Sequence, residues 1–380
     1  MTRQSPVLMD VLCDITDNRQ AQGKRHPLSA ILALSIAAML CGYRSYSAIA
    51  EWGHNYGKQF LEALGFTKGV APCAATLSNV YRRLNQEELE RKLGHWAEGL
   101  IHLTQAEQQQ ATGEQVCVDG KSLRGSRRQG ARAAHILSAL GHRLGMTLGQ
   151  VAVSDKTNEI GVILDLLKEI MLEGKVVTCD ALLTQREVAQ SISAQGGDYV
   201  MIVKGNQPTL LADISDLFTD RDSFSIEVAA SLDQGHGRIE ERSLSVSQAL
   251  TGYCQWPGMQ QVFEVKRKVS VKKSGKQREE VVYGITSLGP ERADAATLLE
   301  MVRRHWAIEN QSHWVRDVTF DEDRSQVRVG NIPQVMTTLR NTAIGMMRLM
   351  GAANIAAACR TFAAQPWTAL ALIGVPGRIK

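Results

Sequence analysis

The chain has 380 residues and a net charge of +4, with 44% hydrophobic and 22% charged residues. That length predicts two or three domains, and the balance excludes an extensively disordered protein. A net charge this small for the length does not establish a polyanion partner, so local clusters must argue for one.

The N-terminal segment MTRQSPVLMDVLCDITDNR carries acids within its apolar stretch and is no signal peptide. Residues 1–110 read as a helical domain. LSAILALSIAAMLCG follows Pro27, which suits a helix start. The uncharged run 28–43 is shorter than the roughly 20 residues of a membrane span, so it predicts a buried helix and no membrane partner. Ile49, Trp52, Phe60 and Leu64 keep helical spacing. Thr76 can cap a further short helix bearing Arg82 and Arg83. Two short helices, the second tipped with basic residues, suit DNA contact, and an ordinary helical bundle reads the same way.

Residues 111–206 alternate strands and helices. EQVCVDG is a strand ending at Asp119, followed by a meander of AAHILSALG and TLGQVAVSD. EIGVILDLLKEIM is an amphipathic helix, GKVVTCDA a strand ending at Asp180, TQREVAQSISAQG a helix and DYVMIVKGN a strand. This pattern predicts a mixed α/β sheet. Residues 207–292 read as a β-rich insertion around VFEVKRKVSV and EEVVYGITSL. Its segment 266–278 has seven cations and no acid, which fits a solvated hairpin or a phosphate-contacting one. Residues 293–350 return to the core, with a helix from DAATLLEMVRRHW through Glu309, and 351–380 form a helical tail. The seven cysteines are scattered without a C-x-x-C pair. They exclude a disulfide framework and predict a reducing cytoplasm.

Acids at strand ends sit on a sheet rim, where side chains converge. Asp119 and Asp180 are so placed. With a third acid they can hold two divalent cations, and two cations can cut and join phosphodiesters. Magnesium prefers such hard oxygen ligands, completed by waters and substrate phosphates. A lone Asp after a strand is more often a turn residue or cap. Spacing alone leaves the third acid open among Glu300, Glu309, Asp321, Glu322 and Asp323.

Motifs in a fixed order narrow this further. They are DNRQAQGKRHPLSAILAL, VDGKSLRGS, KTNEI, TCDALLTQREVA, GGDYVMIVKGNQ, HGRIEER, HWAIENQSHW and DVTFDEDRSQVRVGN. Together they resemble the H-repeat-associated group of DDE insertion-sequence transposases, through almost the whole chain. The resemblance implies an RNase H-like α/β core with a β-rich insertion and an N-terminal helical domain. It carries the catalytic, metal-binding triad onto Asp119, Asp180 and Glu309, with Mg2+ as cofactor and Mn2+ as substitute. It further implies double-stranded DNA partners (the element's inverted repeats and target DNA), a homodimer on that DNA, and no small-molecule substrate. A decayed, binding-only copy and a non-joining nuclease of the same fold share these motifs.

Other residues are expected at the DNA. Lys121 and Arg124 open a basic, acid-free stretch that continues through Arg127, Arg128 and Arg132. Lys204 and Asn206 follow a strand at the edge expected for Asp180, although Lys-Gly-Asn alone is an ordinary turn. His236 and Arg238 form a polar turn whose matching family motif implies a strand contact. Arg304, His305 and Asn310 flank the Glu309 motif, and Arg316 lies seven residues beyond it. His305, Glu309 and His313 share one face of a regular helix. A zinc site there lacks the H-E-x-x-H pattern. Trp306 and Trp314 are expected to pack that helix on the sheet, base stacking being the alternative. Asp321, Glu322 and Asp323 are expected in a solvated loop that braces it.

Overall fold

The computed structural model describes residues 7–105, 113–127, 133–153, 159–235, 237–306 and 308–375. Its strands are β1 (Glu114–Ser122), β2 (His135–Gly141), β3 (Met146–Val153), β4 (Lys175–Cys179), β5 (Asp198–Val203), β6 (Glu227–Gly235), β7 (Arg238–Ser247), β8 (Gln261–Val271) and β9 (Gln277–Thr286). The chain divides into two compact units. A sheet unit comprises Gln110–Asp119 and Glu159–Ala307, and a helix-rich unit comprises Met1–Gln109, Gly120–Asn158 and Ile308–Lys380. Both are mixed α/β, and β1 begins in the first and ends in the second.

In the sheet unit the strand order is β1-β4-β5-β9-β8-β7-β6. The short apolar strands β1, β4 and β5 run parallel, with Val118 opposite Cys179 and Cys179 opposite Met201. Helices Glu159–Lys168 and Arg186–Ala194 form the crossovers that parallel neighbours require. β9 is antiparallel to β5, so the stretch expected as a β-rich insertion contributes four strands, β6 to β9, that extend the same sheet. Gly284 permits this seam: a Cβ there would lie 2.1 Å from the Phe263 ring and 2.7 Å from the Met201 carbonyl oxygen. Helix Ala295–His305 buries Leu298, Leu299 and Met301 against Val176, Val200, Leu244, Val246 and Phe263.

The segment after β5 differs from expectation. Helix Pro208–Thr219 precedes the β-rich run, with Pro in its first turn and Leu210, Ile214, Leu217 and Phe218 inward. Lys266 meets Glu264 at 3.2 Å and Lys268 meets Glu279 at 3.8 Å, while Arg267 pairs with Glu240. These three cations are matched by acids on their own and flanking strands, while Lys272, Lys273, Lys276 and Arg278 of the same segment are exposed.

In the helix-rich unit the order is β3-β2-β1. β2 and β3 form the expected antiparallel meander. Beside β2, the end of β1 is tied by Ser122 Oγ to His135 Nδ1 at 2.9 Å and by the Leu123 N–H donating to the Ala134 carbonyl. Helix Leu28–Leu40 is buried along nearly its whole length, which explains its uniform Ala and Leu content. Its Ser35 hydroxyl is satisfied by Ile31 O and Tyr81 Oη. Helix Gln86–Gln105 lies so close to β3 that a Cβ on Gly94 would stand 2.2 Å from Leu148 O. Glu90, Gln150, Thr338 and Asn341 form a buried polar network, with Gln150 Nε2 donating to Glu90 Oε1 at 2.8 Å. Among the described residues no helix is long and apolar enough to cross a membrane.

Candidate active site

The sheet unit holds two of the three expected acids. β1 and β4 pair in register up to Val118 and Cys179, and Asp119 and Asp180 are the next residue on each strand. Side chains alternate along a strand, and registered neighbours point to the same side. Gln115, Cys117 and Asp119 thus share one face with Val176, Thr178 and Asp180. Both aspartates are half-buried. Burial first, then the Asp180, Cys117 and Asp119 charges, push the neighbouring Cys179 thiol up. β1 does not end at Asp119, as expected, but continues to Ser122.

That face is covered by the last turns of helix Ala295–His305. Gln115 Nε2 donates to Met301 O at 2.8 Å, Cys117 Sγ to Arg304 O at 3.5 Å, and His305 Nδ1 lies 3.0 Å from Thr178 Oγ1. Burial pushes the His305 imidazole down, against the pull of Asp180. His305 is thus bound to the strand at Thr178, and burial disfavours its charged form.

The loop after Asp180 is clamped. The Leu183 N–H donates to Asp180 Oδ1 at 3.3 Å. Asn206 Nδ2 donates to Ala181 O at 2.6 Å, and Gln207 Nε2 to Thr184 O at 3.1 Å. Asn206 therefore spends its amide on the loop carrying Asp180, and Lys204 is the exposed cation beside it. Arg304 is half-exposed and pairs with Glu300 at 2.9 Å. Arg238 is exposed at the start of β7, across from Val271. His236 lies outside the described residues, as do Arg128 and Arg132.

The helix-rich unit carries Glu309. The continuous helix expected through this acid is absent: Ala295–His305 ends, Trp306 is its C-cap, and Glu309–His313 is π-helical. A π turn is wider than an α turn, so Glu309 and His313 do not sit on a regular α-helical i, i+4 face. Glu309 and Asn310 are exposed, whereas Ser312 and His313 are buried. Burial, then the charges of Arg316 and Lys121, push the His313 imidazole down to about 2. Trp306 and Trp314 are 54% and 57% exposed, which overturns the expectation that they pack into a core.

Helix Trp314–Val318 follows the π turn, and its far side is braced. Arg316 is 0% exposed, a correction to its expected DNA contact: its Nε lies 3.3 Å from Glu322 Oε2. Glu322 is also buried, not solvated, and meets Arg340 at 2.9 Å. Asp321 adopts φ 54°, the left-handed turn that leads into Glu322. Burial opposes ionisation of Glu322, but the two guanidinium groups outweigh it and hold the carboxyl below its usual range.

Lys121 and Arg124 are also engaged. Lys121 meets Asp317 at 2.7 Å, and Asp323 receives both Lys121 and Arg124 at 3.6 Å. Arg328 Nε donates to Gly125 O at 3.0 Å, and a Cβ on Gly125 would lie 2.1 Å from Ser325 O. The KSLRGS and FDEDRSQVR segments thus pack together within this unit. Lys121 is mainly an ion-pair partner there, while Arg124 remains 82% exposed.

Among the described residues no cluster of three or more His, Cys, Asp or Glu side chains is assembled to hold a metal ion. Two adjacent carboxylates where the β1–β4 pairing stops still fit the donor set of one hard divalent cation, which takes its remaining ligands from water and phosphate.

Comparison with known proteins gives the same reading of the chain. The Transposase DDE domain family matches residues 110–345, and the DDE_Tnp_1-associated family matches residues 9–97. A relative named as a transposase, YncI of Escherichia coli O157:H7, is 31% identical, covering 90% of this chain and 87% of its own length. One named as an H repeat-associated transposase, YhhI of Escherichia coli strain K12, is 29% identical, covering 90% of each. A cryo-EM structure of the piggyBac transposase synaptic complex with hairpin DNA matches at a TM-score of 0.41 and 10% identity, covering 98% of this chain and 78% of that one. A likeness at that level carries no weight for fold or partner. The family matches and the relatives spanning nine-tenths of the chain are decisive: this chain belongs to the DDE transposase family.

Proposed function

We propose that this DDE transposase binds the inverted repeats of its own element, cleaves the DNA strand at each end, and joins the freed 3′ ends to target DNA. The observation that carries this is the pairing of β1 with β4. It brings Asp119 and Asp180 side by side just past the last registered pair of two parallel strands, half-open to a substrate. The sub-orders β3-β2-β1 and β1-β4-β5, with β1, β4 and β5 parallel, support an RNase H-like core.

Asp119 and Asp180 would hold a divalent cation, Mg2+ or Mn2+, and Glu309 is the third carboxylate of the set. Such ions activate an attacking oxygen and stabilise the leaving one. The chain's own residues act by position. Asn206, Gln207 and Thr184 fix the loop that carries Asp180. His305, whose charged form burial disfavours, seals the face beneath the two aspartates. Hydrolysis and joining are both in-line attacks on phosphorus, so one carboxylate set serves both. The N-terminal helices, with Arg82 and Arg83 at the end of helix Ala74–Arg83, supply cations for end recognition, and two copies act on two ends.

The test uses linear DNA carrying the element's own ends. The wild type shifts its mobility, nicks it with Mg2+ and yields joined products. Glu309→Gln keeps the shift and loses nicking. Normal nicking by Glu309→Gln overturns its assignment, and nicks without joined products reduce the activity to a nuclease.

A further inference from the structure

A cavity of about 520 Å³ lies in the helix-rich unit beside the π turn. Asn310, Trp314 and Val318 form one wall, and Arg44, Arg348 and Arg360 approach from elsewhere. No Asp or Glu lines it. None of the three guanidinium groups makes an ion pair among the described residues. Elsewhere in this unit arginines find acids: Arg316 and Arg340 share Glu322, and Arg124 meets Asp323.

Arg348 is the most informative of the three. Its Nη1 donates to Ala352 O and Ala353 O, both at 3.1 Å, which fixes the side chain. Its Nε is buried and has no partner. Burial presses the guanidinium down with no carboxylate to restore it. A desolvated cation without a counter-charge is costly unless an anion completes it. The first turn of helix Ile355–Ala364 also contributes to the wall, and its positive end favours the same charge. The lining also has an apolar part: Trp314 and Val318 are 57% and 54% exposed. A large aromatic sharing a cavity with cations suits the sugar and base of a nucleotide better than a bare anion.

We propose that this cavity seats a phosphodiester of the substrate DNA strand, held by Arg44, Arg348 and Arg360, with the attached nucleotide against Trp314. Asn310 on its wall adjoins Glu309 in the same π turn, so a strand held here passes the third carboxylate. The proposal rests on the transposase reading and extends it to a DNA seat.

The test compares the full-length wild type with Arg44→Gln/Arg360→Gln, two exposed positions whose loss spares the fold. Binding of a labelled 30-base-pair duplex is measured across a salt series, and thermal stability is measured with millimolar inorganic phosphate. The seat predicts about tenfold weaker DNA binding by the variant and a log–log salt slope shallower by about 1–2, since each lost phosphate contact removes about 0.9. Arg44→Lys/Arg360→Lys should recover most of the slope. An unchanged slope and affinity in the glutamine variant, with the wild type binding DNA, overturn the seat and leave the transposase reading standing. A phosphate-induced stabilisation lost in the variant while DNA binding is unchanged overturns it in favour of a free-anion site. A wild type that binds no DNA overturns both.

Discussion

The Glu322 carboxylate lies 3.3 Å from the Arg316 guanidinium, and neither side chain reaches solvent. Arg340 meets the same carboxylate from helix Ile332–Leu349. The helix that follows the Glu309 turn is thus anchored by one buried acid shared between two buried cations.

The cluster carries one cation in excess, which makes its members unequal. Glu322→Ala leaves two unpaired guanidinium groups in the interior and should cost about 3–5 kcal/mol. Arg316→Met leaves the Glu322–Arg340 pair intact and should cost well under half as much. Urea unfolding of the two variants checks the order. Equal losses would show that Glu322 does not serve both arginines. Arg316→Met should also leave the salt dependence of DNA binding unchanged, because the side chain is inside.

Asn206 is a positioning residue whose amide holds the Ala181 carbonyl next to Asp180. Asn206→Ala should keep DNA affinity within about twofold, one released surface contact being worth less than about 1 kcal/mol. Cleavage by this variant should need several-fold more Mn2+ to reach half its maximum. A wild-type metal requirement would remove Asn206 from the account. So would a large drop in DNA affinity, which would make it a direct contact instead.

Glu90 predicts a pH dependence of stability. Burial pushes its carboxyl up to about 7, against the donors Gln150, Gln86 and Thr338. The folded state therefore holds a proton that the unfolded state releases near pH 4.5. The stabilisation is complete below that value and is lost as pH rises through about 7. The difference in unfolding free energy between wild type and Glu90→Gln should shrink by on the order of 2–3 kcal/mol from pH 5 to pH 8. A pH-independent difference would show that Glu90 titrates normally.

The parts of the fold legible in the sequence are those with local causes. β1, β4 and β5 are β-branched apolar runs between turns, and helix Leu28–Leu40 is an Ala/Leu run behind a proline. Helix Pro208–Thr219 carried its own signals, Pro208 and an i, i+4, i+7 apolar series, but sat in a stretch dominated by strand-like runs. β6 alternates between exposed and half-buried positions, so it lacks the buried face that marks a strand. At the site, Asp180 follows from the end of β4, whereas β1 runs past Asp119 to Ser122, and register makes the two neighbours. Glu309 came from resemblance alone. The π turn around it has no local signature. Arg316 is buried on Glu322, an acid that it shares with Arg340 far along the chain, a tertiary arrangement that no spacing rule reaches. A cation seven residues after Glu309 looks like a DNA ligand until its acid is found inside.

Single-turnover cleavage of DNA bearing the element's ends tests the central claim most directly. Wild type, Asp119→Asn and Asp180→Asn are compared with Mg2+, with Mn2+ and with chelator. The account predicts cleavage by the wild type only with a divalent ion, and a loss of at least about a thousandfold in each variant with end binding retained. Cleavage by either variant near the wild-type rate, or wild-type cleavage in chelator, would contradict it.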